Sequence, residues 1–334
     1  MISLQDLLCE LSQRGGSDLH IISGALPSVR VDGKILPIGN EIITDAVCLR
    51  IATELMTDYQ KKSFEGRGDC DMSYTFRDRA ENSMKRCRVN VFQDMNGTSF
   101  AIRLLSDKIP SIDKLGLPNV LKNLSAKPHG LIALTGPTGS GKTTTLSAMV
   151  DYINNEMAAH ILTIEDPIEY VYEMKQSIIS QREVGKHVVS FAAGLKAALR
   201  EDPNVILVGE MRDKETIEIA LNAAETGHLV LTTLHTSNVI DAVDRILQYF
   251  PTEQQNQIQL QLANCFEGII AQRLFKRKNS SGRIAALEIM LRTPATINLI
   301  RTGRAFQLKD YLRLDGMQTM DNSIAELKAQ GMIN

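Results

Sequence analysis

The run from Leu131 to Met149, LIALTGPTGSGKTTTLSAM, limits most sharply what this chain can fold into. At its centre, Gly136-Pro137-Thr138-Gly139-Ser140-Gly141-Lys142-Thr143 fits the phosphate-loop pattern G-x-x-x-x-G-K-[ST]. A chain of this length meets that pattern by chance roughly one time in a hundred. The apolar residues Leu131, Ile132, Ala133 and Leu134 predict a strand leading in. Behind the loop, Leu146, Met149, Val150 and Ile153 are spaced as one face of a helix. Strand, glycine loop and helix together aim free backbone N–H groups and a positive helix end at a phosphate. On this reading Gly136 through Thr144 cradle the phosphates of ATP, Lys142 reaches the β- and γ-phosphates, and the Thr143 hydroxyl ligates Mg²⁺. A glycine-rich turn that binds nothing is the alternative, and it leaves the flanking strand and helix unexplained.

A chain of 334 residues exceeds one typical core, so two domains are expected. The net charge of −2 gives no electrostatic reason to expect nucleic acid as the main partner. Cys9, Cys48, Cys70, Cys87 and Cys265 form no C-x-x-C pair, which argues against both a zinc site and a disulfide framework and for a reducing cytosol. The opening MISLQDLLCEL carries acidic residues and no basic region, unlike a secretory signal. No apolar run reaches membrane-spanning length, so a membrane role is expected to come through a partner, without direct insertion.

Taken in order, Leu4, Leu7, Leu8 and Leu11 predict a short amphipathic helix ended by Gly15-Gly16. Asp18–Ile22 reads as extended, and SVRVDGKILPI alternates around the hairpin turn Asp32-Gly33. A single helix is expected from Asp45 to Phe64, then strands near Arg86–Phe92 and Thr98–Leu105 joined by Asn96-Gly97. These elements predict a small α+β domain over residues 1–105, with a linker at 106–112. From there to residue 334 strands and helices alternate. Leu131–Thr135, His160–Ile164, Val205–Val208 and Leu229–Leu234 are apolar without polar alternation, as in a parallel sheet covered on both faces, and Lys214–Glu225 reads as a helix. Beyond Asp241 the chain is expected to be mainly helical, with Ile258, Leu262, Phe266, Ile269 and Leu274 at helical spacing and Gln254–Gln261 as a solvated face.

Three further stretches bear on chemistry, because a phosphate loop alone binds without hydrolysing. Glu165-Asp166-Pro167-Ile168-Glu169 sets carboxylates at the carboxyl end of a predicted parallel strand, where such sheets bind ligands, though an acidic loop can equally be solvated surface. Val205–Val208 followed by Gly209-Glu210 is an apolar strand ending in an acid that can hold Mg²⁺ or polarise water. Gly209 occupies the usual place of a metal-holding Asp, so the metal would rest on Thr143, water and the outer-shell carboxylates Glu165 and Glu210. Finally, His228 and His235 flank the predicted strand Leu229–Leu234 as candidate γ-phosphate sensors.

Together these stretches resemble the secretion and pilus motor ATPases, most closely the type IV pilus retraction ATPases. Gly15-Gly16-Ser17-Asp18-Leu19-His20 resembles the opening of their PAS-like domain, and Glu165-Asp166-Pro167 their Asp box. Leu199 through Asp213 (LREDPNVILVGEMRD) resembles the signature around their acidic strand, with Asn204 where Asp is usual. Ala224-Glu225-Thr226-Gly227-His228 through Leu234-His235-Thr236 resembles their His box. The resemblance implies an α/β protein: a RecA-like P-loop ATPase domain with a mainly parallel sheet, preceded by a smaller α+β PAS-like domain. It implies a hexameric, Mg²⁺-dependent ATPase at the cytoplasmic face of the inner membrane, partnered by a membrane platform protein. Arg88 and Arg103 match the arginine fingers of such motors, and Glu210 their catalytic acid. The family's retraction motif A-I-R-N-L-I-R-E is met in ATINLIRT only at Ala295 and Asn298 through Arg301. An accessory or assembly motor of the same kind, and a RecA-like nucleic-acid motor, are the competing expectations.

Overall fold

The computed structural model describes residues 3–105, 108–278, 281–314 and 316–334. Its contacts divide the chain into two units. The first holds the chain up to Lys108 together with Asp166–Val171 and Glu183–Val189; the second holds Ile109–Glu165, Tyr172–Arg182 and Ser190–Asn334. The boundary at Lys108 and Ile109 falls within the expected linker 106–112, of which Ser106 and Asp107 lie outside the described residues. A purely contiguous division differs from this one, because two later segments return to the first unit.

The first unit runs α1 (Leu4–Gln13), β1 (Asp18–Ile21), β2 (Ser28–Val31), β3 (Lys34–Pro37), α2 (Asp45–Leu55), α3 (Asp58–Arg67), β4 (Asp69–Asp78), β5 (Ser83–Asp94) and β6 (Gly97–Leu104). Its strands form one antiparallel sheet in the order β3-β2-β1-β6-β5-β4. Alternation sends Leu19, Met72, Val89, Val91, Phe100 and Ile102 to one face, where they share a core with Leu4, Leu7, Leu8 and Leu11 of α1. The helix expected over Asp45–Phe64 is interrupted. Met56 is extended, and Thr57 opens α3 with a capping box, its hydroxyl accepting from the Gln60 N–H while the Gln60 side chain accepts from the Thr57 N–H.

The opposite face of this sheet is polar. Arg86 on β5 ion-pairs with the buried Glu183 at 2.8 Å, and its Nε donates to the Ile168 carbonyl at 2.9 Å. The Ser73 hydroxyl donates to the same carboxylate, which also accepts from the Ile168 N–H. Both returning segments are thereby bonded to β4 and β5.

The second unit contains α4 (Ile112–Leu115), α5 (Val120–Ser125), β7 (Gly130–Thr135), α6 (Lys142–Glu156), β8 (His160–Glu165), β9 (Ile178–Glu183), α7 (Phe191–Ala198), β10 (Val205–Val208), α8 (Lys214–Glu225) and β11 (Leu229–Leu234). There follow α9 (Val239–Gln248), α10 (Thr252–Cys265), β12 (Phe266–Lys276), β13 (Arg283–Leu291), α11 (Pro294–Arg301), a 3₁₀ turn, α12 (Leu308–Tyr311) and α13 (Met320–Ala329). The seven-stranded sheet has the order β13-β12-β7-β11-β10-β8-β9. Strands β12, β7, β11, β10 and β8 pair in parallel, and β13 is antiparallel to β12, so the α/β sheet is mixed and mainly parallel. Every residue of β7, β10 and β11 is buried, as the apolar runs require.

Past Asp241 the expectation of mainly helical chain fails at one element pair. Helix α10 stops at Cys265, and Phe266, Ile269 and Leu274 belong to β12. An apolar run buried on both faces satisfies helical and extended spacing alike. Asn204 has a plain structural use: its Oδ1 accepts from the His160 N–H at 2.8 Å, a bond that Asp could make equally.

A buried pair in the first unit sets its acid response. Asp78 accepts from the Ser12 hydroxyl and pairs with Lys85 at 3.1 Å. The Ser12 hydrogen bond, opposed by burial and helped by Lys85 and the Ala80 and Glu81 amides, holds the Asp78 carboxyl down at about 2 from its ordinary 3.8. A carboxyl lowered by folding contributes stability that is complete above its ordinary value and is lost as pH falls toward the folded one. The variant Asp78→Asn is therefore expected to unfold at lower urea concentration at pH 7. Its deficit against the parent should shrink between pH 4 and pH 2, as followed by far-ultraviolet circular dichroism.

Candidate nucleotide site

The parallel register gathers the carboxyl ends of β7, β11, β10 and β8 on one edge of the sheet, and the sequence motifs occupy that edge. Residues Gly136 to Gly141 join β7 to α6, with Gly141 in the left-handed region as the helix cap. A Cβ on Gly136 would lie 2.6 Å from the Gln272 carbonyl oxygen and 2.7 Å from the Ser140 hydroxyl, so the loop's tight path excludes any side chain there. Lys142 is buried and folds across the loop, its Nζ donating to the Gly136 carbonyl at 2.7 Å and the Pro137 carbonyl at 3.2 Å. Burial pulls its ammonium below the usual lysine range, and the Glu210 carboxylate opposes this. A buried cation, a helix amino end and a glycine cradle are the donor set that a nucleotide's phosphates require, so the residues fit that ligand. Thr143 and Thr144 stand half-buried in the first turn of α6.

Glu210 follows β10 directly. Its Oε1 lies 2.8 Å from Arg212 and its Oε2 3.1 Å from Nε2 of His235, at the end of β11. His235 is in turn anchored near the loop, because the Thr236 N–H donates to the Thr135 hydroxyl at 2.8 Å and that hydroxyl donates to the Thr236 carbonyl. At Gly209 a Cβ would press to 3.3 Å on the Ile164 carbonyl oxygen, the acceptor of the Gly209 N–H. β8 runs close enough at this point that a side chain at 209 would need its neighbour to give by a few tenths of an ångström. Glu165, at the end of β8, is buried and accepts from the Thr163 hydroxyl at 2.7 Å and from Gln181 at 3.3 Å. It lies three strand spacings from β7, about 14 Å. Among the described residues no group of three or more His, Cys, Asp or Glu could hold a metal ion by itself.

His228 stands apart from the loop in this chain. It precedes β11, its carbonyl accepts from the Gly130 N–H at the start of β7, and its Nδ1 lies 3.0 Å from the Ala223 carbonyl. At about 3.3 Å per residue it sits about 20 Å from the loop, on the opposite edge of the sheet. The two flanking histidines are separated by the strand that links them, and only His235 joins the site's edge.

In the first unit, Arg88 and Arg103 are direct cross-strand neighbours on the polar face. Arg88 pairs with Asp71 at 3.0 Å and Arg103 with Asp18 at 2.8 Å. Two guanidinium groups placed opposite repel, and each is offset by its own aspartate. In α11, Thr296 is buried and completes a capping box with Thr293, while Leu299 and Ile300 face the core. Sequence reading missed Gln272, whose buried side chain joins Ser140 to Thr145, and it missed the tie between Thr135 and Thr236. Arg212 lay inside the quoted signature without a role; its ion pair with Glu210, two residues before it, supplies one.

The family described as type II/IV secretion system protein matches residues 1–298. The type IV pilus retraction ATPase PilT of Pseudomonas aeruginosa is 42% identical over 336 aligned residues, covering 100% of this chain and 96% of that protein. A twitching motility protein of Neisseria gonorrhoeae is 42% identical, covering 93% of this chain and 83% of its own length. Among solved structures, the pilus retraction motor PilT with bound ADP superposes with a TM-score of 0.90 at 42% identity, covering 100% of this chain and 95% of that one. A match of this extent, with the phosphate loop and the acidic strand end on one sheet edge, is that of a family member: the chain belongs to the type II/IV secretion system protein family.

Proposed function

We propose that the chain is an ATP-hydrolysing motor that drives type IV pilus retraction. The observation that carries the proposal is the Glu210 carboxylate, fixed between Arg212 and His235 and acting electrostatically on Lys142 of the phosphate loop. Similarity to retraction and twitching proteins, one of them solved with ADP, supports the nucleotide and the output. The amides of Gly136 to Thr144 and the Lys142 ammonium hold phosphate oxygens. Thr143 would offer its hydroxyl to Mg²⁺, which when bound would supply charge neutralisation at the phosphates. Glu210 orients or deprotonates the attacking water, His235 reads the γ-phosphate, and Glu165 acts from the outer shell.

The 1–105 region serves as the PAS-like domain and 113–334 as the ATPase domain. Arg88 and Arg103 act as arginine fingers toward a neighbouring subunit's phosphoryl group in a hexamer. The motor works in the cytoplasm, docked on an inner-membrane platform protein; no helix among the described residues is long and apolar enough to cross a membrane. A second reading, an accessory or assembly motor, draws on α11, where Thr296 and Ile297 replace residues of the retraction motif.

Two measurements test the assignment. Glu210→Gln should keep ADP affinity within about threefold while phosphate release falls about a hundredfold or more, since general-base contributions are of that order. Lys142→Ala should lose both; full turnover in Glu210→Gln would remove the role given to that residue. Direction is decided in cells: deletion is expected to leave excess, non-retracting pili, and bald cells would favour assembly.

A further inference from the structure

We infer that Gln272 is a positioning residue of the nucleotide site, holding the phosphate loop in its phosphate-receiving shape; the inference rests on the reading of Gly136–Thr143 as that site. Gln272 lies on β12, beside β7, and only 2% of it is exposed. A carboxamide so buried is costly unless both of its ends are bonded. Both ends are bonded to the site. Nε2 donates to the Ser140 carbonyl at 2.8 Å, and Oε1 accepts from the Thr145 hydroxyl at 2.8 Å.

The first bond sets the direction of a peptide. In a planar trans peptide the C=O and the following N–H point oppositely. Drawing the Ser140 carbonyl toward β12 therefore turns the Gly141 N–H away from β12, leaving it free of the sheet. The second bond fixes the first turn of α6, which also carries Lys142 and Thr143. The backbone of Gln272 takes part as well, since its carbonyl oxygen is the atom that a Cβ on Gly136 would strike. One residue thus meets the start of the loop, the Ser140 carbonyl near its end and the helix behind it. A polar residue of purely structural use would stabilise the sheet without altering how the loop receives a ligand.

The test compares the full-length parent, Gln272→Met, Thr145→Val, the double variant and Lys142→Ala. ADP dissociation constants come from a fluorescent-nucleotide titration, and melting midpoints are taken without nucleotide. Gln272→Met preserves volume and removes both bonds; it should bind ADP about tenfold more weakly while melting within a few degrees of the parent. Thr145→Val should weaken binding about threefold, and the double variant should be no weaker than Gln272→Met, because the threonine bond needs the glutamine. Parental affinity in Gln272→Met, or a loss matched wholly by its unfolded fraction, would overturn the inference. Should Gln272→Met fail to fold, Thr145→Val decides: weaker binding supports the role and unchanged binding overturns it. A parent that binds no ADP, or a Lys142→Ala variant that binds it normally, would overturn the nucleotide reading itself and this inference with it.

Discussion

Parallel pairing of β7, β11, β10 and β8 is the constraint on which the second unit's chemistry depends. Strands that run the same way deliver all their carboxyl ends to one edge, whatever lies between them in sequence. Lys142, His235, Glu210 and Glu165 come from four distant stretches, yet Glu165 ends such a strand, His235 and Glu210 follow one within two residues, and Lys142 follows one across the loop. The same rule puts His228, which precedes the start of a strand, at the other edge of the sheet. Burial on both faces fixes the register, since a one-residue slip would move each apolar side chain into a different packing layer.

Around that edge, charge is placed with little redundancy. The Lys142 ammonium has loop carbonyls as its close partners and the Glu210 carboxylate as a more distant countercharge. Glu210 divides its two oxygens between Arg212 and His235, so neither oxygen is left to rotate freely. The guanidinium of Arg212 also lies 5.5 Å over the Phe191 ring, which limits where it can swing.

Much of this was legible beforehand, and the reasons are local. The loop, the apolar strands and Lys214–Glu225 declare themselves through spacing and glycine placement, and each stands where the sequence reading put it. The break at Met56-Thr57 was also written locally, as T-x-x-Q, but continuous helix formers on either side obscured it. Strand β12 was not legible, because a run buried on both faces carries no period that separates strand from helix. Gln272 and the Thr135–Thr236 tie depend on which strands become neighbours, a property of topology and not of any short window. Arg88 and Arg103 could be placed on strands in advance, whereas their aspartate partners could not.

The Arg86–Glu183 pair joins residues 97 apart in sequence. Every strand of the first unit's sheet is encoded before Lys108, yet the guanidinium of Arg86 meets its buried carboxylate only after most of the phosphate-binding region has been made. During synthesis, then, the amino-terminal sheet leaves the ribosome with this polar face open to water and Arg86 solvated, and a fragment cut at the apparent domain boundary keeps that face open. The amino-terminal unit is first in the gene but not first to be finished, and its completion is tied to the arrival of the chain that follows the Asp box.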